Sequence, residues 1–219
     1  MSKEKKILLQ SFIFPTIFVV VIWMIKFIEV IFDLHLYRLG VFPLSLKGLP
    51  GLLFMPLIHG DFSHLFANTI PVFVLTAALF YFYREIAFKV FFLIYFFSNV
   101  WLWFGAREVY HIGASGLIYG LATFLFISGL IRKNPRLMAI SLFVAFLYGS
   151  FIWGIFPEFF PEKNISFEGH FWGMIAGLMI AIYYRKRGPQ RRLYSWDLEE
   201  ETEDDDDDAY WKTSHPKSP

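Results

Sequence analysis

Gly113-Ala114-Ser115-Gly116-Leu117-Ile118-Tyr119-Gly120 opens a run that continues to Ile131 without a single charge. An apolar run of this length suits a helix that crosses the hydrocarbon core of a bilayer, which takes about 20 residues. Five further runs read the same way: Ile7–Lys26, His64–Tyr83, Phe88–Phe104, Leu137–Phe156 and His170–Tyr184. The 219-residue chain is 56% hydrophobic and 21% aromatic, with a mean hydropathy of +0.49. Together these features predict an all-α polytopic membrane protein, a bundle of six transmembrane helices.

Charge sets the expected orientation. Lys and Arg cluster at Lys3–Lys6, at Arg84 with Lys89, at Arg132, Lys133 and Arg136, and from Arg185 to Arg192. The intervening loops carry only Arg38, Lys47, Arg107 and Lys163. Short basic loops stay in the cytoplasm, so both termini are expected there. The second, fourth and sixth helices then run inward from the outer face. His64 and Asn68, Ser115, and His170 stand at their starts and are expected at one depth.

Residues 1–189 form the expected membrane domain. Residues 190–219 carry Glu199–Glu201 and Glu203–Asp208 and read as a disordered acidic cytoplasmic tail. The net charge of +1 gives no reason to expect a nucleic-acid partner, and the absence of cysteine excludes disulfides and thiol chemistry. The first apolar run is too long for a cleaved secretory signal and reads as an anchor. Phe32–Phe62, rich in Gly, Pro and aromatics, is expected to lie in the interface or re-enter the bilayer, buried by protein. Lys26 and Glu29, one turn apart, are expected to snorkel.

The polar groups at the helix starts suggest acyl transfer. A serine among glycines in a membrane helix alone reads as close packing, with Gly116 and Gly120 as a small-xxx-small pair. His170, however, is costly in a bilayer. Gly173 and Gly177 follow it at a spacing that lets its helix approach the glycine face at Ser115. Tyr119 lies one turn beyond Ser115 and can pack on the imidazole. His64 and Asn68 share a face and, with the Ser115 amide, offer donors to an oxyanion. No carboxylate stands where a triad needs one, which favours a Ser–His dyad. The ligand set is too thin for a metal, and no cofactor is expected. His59 reads as a hydrogen-bonding strut; His35, His111 and His215 read as loop or tail residues without a role.

This pattern resembles the rhomboid intramembrane serine proteases. The resemblance covers Ile7 to Tyr184 and rests on His59 with His64 and Asn68, Gly113-Ala114-Ser115-Gly116, Tyr119, and His170-x-x-Gly173-x-x-x-Gly177. It implies Ser115 as nucleophile, His170 as general base, and His64, Asn68 and the Ser115 amide as the oxyanion site. Tyr119, His59, Gly113, Gly116, Gly173 and Gly177 would support them. It also implies endopeptidase action on membrane proteins with a transmembrane helix, with the fifth helix and Phe156–Phe160 as gate and lid. Many rhomboids carry a Trp-Arg pair in the first long loop, where this chain has Leu49-Pro50-Gly51-Leu52; that loop is expected to be built differently. A bacterial inner membrane is the expected location. The competing readings are a catalytically inactive rhomboid-like protein that binds membrane clients, and a small transporter. Retention of both Ser115 and His170 argues against the first, and a midplane bare of charge against the second.

Overall fold

The computed structural model describes residues 2–147 and 166–188. These form helices α1 (Lys3–Ser11), α2 (Ile13–Ile31), α3 (Gly51–Phe54), α4 (Phe62–Phe82), α5 (Ala87–Gly105), α6 (Ser115–Ile131), α7 (Pro135–Leu147) and α8 (Phe167–Tyr183). The remainder of the predicted fifth span, the Phe156–Phe160 segment and the acidic tail lie outside the described residues.

Helices α1 and α2 together make one 29-residue candidate span, charged over its first turn and apolar beyond, interrupted at Phe12. Pro15 has no N–H to give the carbonyl of Ser11, and the Ser11 hydroxyl turns back to the Leu8 carbonyl at 2.7 Å. Beyond the break, Pro15, Phe18, Ile22 and Lys26 face inward while Ile13, Ile17, Val20 and Met24 stay exposed. An apolar outer face at helical spacing suits lipid, not water. Among the described residues, three helices are long and apolar enough to cross a membrane: Lys3–Ile31, Phe62–Phe82 and Ala87–Gly105.

Helix α6 is the centre of the bundle, in contact with α4, α5, α7 and α8. Leu117, Ile118, Tyr119, Leu121, Ala122, Phe124 and Leu125 are all buried. Its 17 residues rise only about 25 Å, less than the ~30 Å hydrocarbon thickness. Helices α4, α6 and α8 run in the same direction. At one end the His64 ring lies against Gly113, and Gly116 abuts Gly169. At the other, Arg132 reaches the ring of Tyr83 and the carbonyl of Tyr184.

The segment between α2 and α4 is not an open loop. Its carbonyls are held by α5: Asn99 donates to Leu52 O at 3.1 Å, Trp103 Nε1 to Ser45 O at 3.1 Å, and the Tyr95 hydroxyl to Leu53 O. Val41 pairs with His111 in an antiparallel bridge. Lys26 does not snorkel, contrary to the expectation from its sequence position. It is 7% exposed, and its ammonium donates to Glu29 Oε2 at 2.8 Å, Gly60 O at 2.8 Å and His59 O at 3.1 Å. The charge is satisfied internally, so α2 continues past it to Ile31.

Candidate active site

Helix α6 starts at Ser115 because of Gly113. That residue has φ +106°, a left-handed conformation that favours glycine. A Cβ there would lie 2.6 Å from the His64 ring. Its N–H donates to the Met55 carbonyl at 3.0 Å, which pins the turn to the first long loop. Ala114, the N-cap, supplies no side-chain bond, so the first amides of α6 have no acceptor from the helix itself. Ser115, half-buried, sits at that end.

Helix α8 brings His170. Ser166 caps its start, accepting from the Gly169 N–H at 3.2 Å. The His170 imidazole is buried and stacks on the Tyr119 ring, with centroids 4.2 Å apart and planes 9° from parallel. Tyr119 is one turn along α6 from Ser115. The approach of the two helices depends on glycine: a Cβ on Gly173 would meet Gly116 O at 2.0 Å, and one on Gly177 would meet Gly120 O at 2.1 Å. This is the seam that the glycine spacing suggests.

Helix α4 supplies the third side. Asp61 caps it, accepting from His64 N–H at 2.7 Å. His64 is half-buried and packs edge-on to His59 with centroids 5.1 Å apart. Asn68 is buried one turn further on, and its amide donates to His64 O at 3.0 Å. His59 is 1% exposed, and its ring nitrogens have no hydrogen-bond partner among the described residues. It packs as a strut beneath His64. Burial, with His64 adding to it, lowers its pKa to about 3 and keeps it neutral.

His111, without a role in the sequence reading, proves to be structural. It is 2% exposed and bridges two segments. Its Nε2 donates to Arg107 O at 3.0 Å, which leaves Nδ1 to accept from the Ser166 hydroxyl at 2.6 Å. Arg107 pairs with Glu168 at 3.4 Å and lies over the Phe167 ring. The loop before Ser115 is thus tied to the turn before His170. Nothing in local spacing points to a partner 55 residues away; only the cost of burying a histidine hints at one.

A family profile for the Rhomboid domain matches residues 47–187. The chain belongs to the rhomboid family. An uncharacterized protein of Mycobacterium tuberculosis is 32% identical to it over 186 residues, covering 80% of this chain and 75% of the mycobacterial one. A Mycobacterium leprae protein, also uncharacterized, is 32% identical over 184 residues, covering 80% and 71%. A protein of Acanthamoeba polyphaga mimivirus, whose name places it among rhomboid proteins, is 31% identical over 137 residues, covering 58% and 70%. The rhomboid fold and the apolar helices make this an integral membrane protein.

Proposed function

We propose that this rhomboid is an intramembrane serine endopeptidase that cleaves membrane proteins at their transmembrane segments with a Ser115–His170 dyad. The observation that carries this reading is the stack of His170 on Tyr119, one turn from Ser115, across a seam without side chains. It supports a base beside a helix-start serine inside an apolar body. Neutral His170 takes the Ser115 proton as Oγ attacks the scissile carbonyl carbon. The oxyanion is bound by the Ser115 amide, His64 and Asn68; the His64 ring lies against Gly113, just before the start of α6. Collapse of the tetrahedral intermediate breaks the C–N bond, and His170 returns the proton to the leaving amine. Water, deprotonated by His170, then hydrolyses the acyl-enzyme.

In this reading six helices span the membrane, with both termini in the cytoplasm and the site toward the outer face of a bacterial inner membrane. A central helix shorter than the hydrocarbon thickness supports a site below the membrane surface, where polar residues admit the water that the last step consumes. The test is cleavage of a reporter protein with one transmembrane helix in proteoliposomes. Wild type is expected to cut it, and Ser115→Ala is not. Cleavage that persists in Ser115→Ala refutes the dyad. An uncut reporter, with no serine labelling of folded wild type, favours the client-binding alternative.

A further inference from the structure

The end of the bundle away from Ser115 holds a second built feature. Arg132, at the end of α6, is 4% exposed and lies over the Tyr83 ring, 5.4 Å from its centroid. Its guanidinium donates to Ser128 O at 3.3 Å, to Tyr184 O at 2.7 Å and to Arg187 O. It thereby satisfies carbonyls left open where α8 ends. Gly188, at φ +86°, seats the same turn on Tyr83; a Cβ there would lie 2.6 Å from that ring. One buried arginine therefore fixes the path of residues 184–188.

What that turn displays is a set of cations. Lys89 from α5 and Arg185, Lys186 and Arg187 line one recess of about 660 Å³, floored in part by Ile86 and Ile182. All four cationic side chains are exposed, and none forms an ion pair among the described residues. Like charges held together around an open recess repel one another unless an anion joins them. Apolar side chains on the wall, with exposed Phe88 and Phe92 on the adjacent face of α5, suit an acyl chain beside the charge.

We propose that this recess binds the headgroup of an anionic phospholipid in the adjoining leaflet, with Lys89, Arg185, Lys186 and Arg187 on the phosphate and Arg132 as the positioning residue. Basic pockets at helix ends are suited to such headgroups. The proposal is independent of proteolysis.

The test is native mass spectrometry of the full-length protein in detergent, titrated with phosphatidylglycerol or phosphatidylcholine. Wild type is expected to retain phosphatidylglycerol selectively. Lys89→Gln with Lys186→Gln is expected to weaken it roughly 30-fold, about fivefold for each lost charge. Arg38→Gln with Lys47→Gln, an equal charge change at exposed sites on the other end, is expected to leave it unchanged. Thermal unfolding checks that both variants are folded. Equal retention of the two lipids, full affinity in the first pair, or equal loss in both pairs overturns the proposal. Displacement by millimolar inorganic phosphate does so too, by making this a free-phosphate site.

Discussion

Gly173→Ala is the sharpest perturbation of the candidate site, because it adds one methyl group and touches no polar side chain. The new Cβ would lie 2.0 Å from Gly116 O, 2.8 Å from its carbonyl carbon and 3.0 Å from its Cα, all backbone that cannot rotate away. Ordinary contact begins near 3.4 Å, so α6 and α8 must part by about 1.4 Å at that level. Overpacking of this kind costs about 1–3 kcal/mol, which leaves a helical, folded protein. A displacement of about 1 Å between reacting groups, however, costs about 100-fold in rate. Fluorophosphonate labelling kinetics of Ser115 are expected to slow by about that factor, while circular dichroism retains the helical spectrum. Gly60→Ala is the control: its Cβ meets only Ile112 Cδ1 at 3.8 Å, and labelling is expected at the wild-type rate. Wild-type labelling in Gly173→Ala would refute the glycine seam as the device that seats His170.

Other perturbations reach different parts of the structure. Lys26→Met leaves Glu29 and the carbonyls of His59 and Gly60 without their common donor, and should lower unfolding stability by about 3 kcal/mol in chemical denaturation. His59 has its folded pKa depressed from 6.5 to about 3, so the unfolded chain binds the extra proton between those values. Stability should be full above pH 6.5 and fall as pH drops toward 3, by up to about 1.4 kcal/mol per unit from this group. Thermal unfolding from pH 7 to 4 should show a shallower slope in His59→Gln. Ser166→Ala removes the cap on Gly169 and the donor to His111. It should cost about 1 kcal/mol and slow labelling by loosening the start of α8, whereas Ser166→Thr should restore both.

The helices were legible in the chain because lipid-facing and buried residues alike are apolar, which leaves long uncharged runs. Helix α6 has the expected bounds, Ser115–Ile131. Helices α4 and α8 begin two and three residues earlier than expected, at Phe62 and Phe167. Their caps, Asp61 and Ser166, lie just outside the apolar runs, and hydropathy does not register a capping oxygen. The first helix continues past Lys26 because Glu29 pairs with a charge that otherwise marks an end, and carbonyls 33 and 34 residues away accept its remaining hydrogen bonds. Within the site, the serine, the stacked histidine and the glycines showed themselves through i, i+3 and i+4 spacing along single helices. His111 and Arg132 did not. Each works by joining segments more than 50 residues apart, and such partners follow only from the packed bundle.

The central claim is that Ser115 is activated by His170. Fluorophosphonate labelling of detergent-purified wild type, Ser115→Ala and His170→Ala tests it most directly, with circular dichroism showing that all three are folded. Labelling of wild type that disappears in both variants is the expected result. Labelling that survives in His170→Ala at the wild-type rate would contradict the account, because the serine would then be reactive without the base assigned to it.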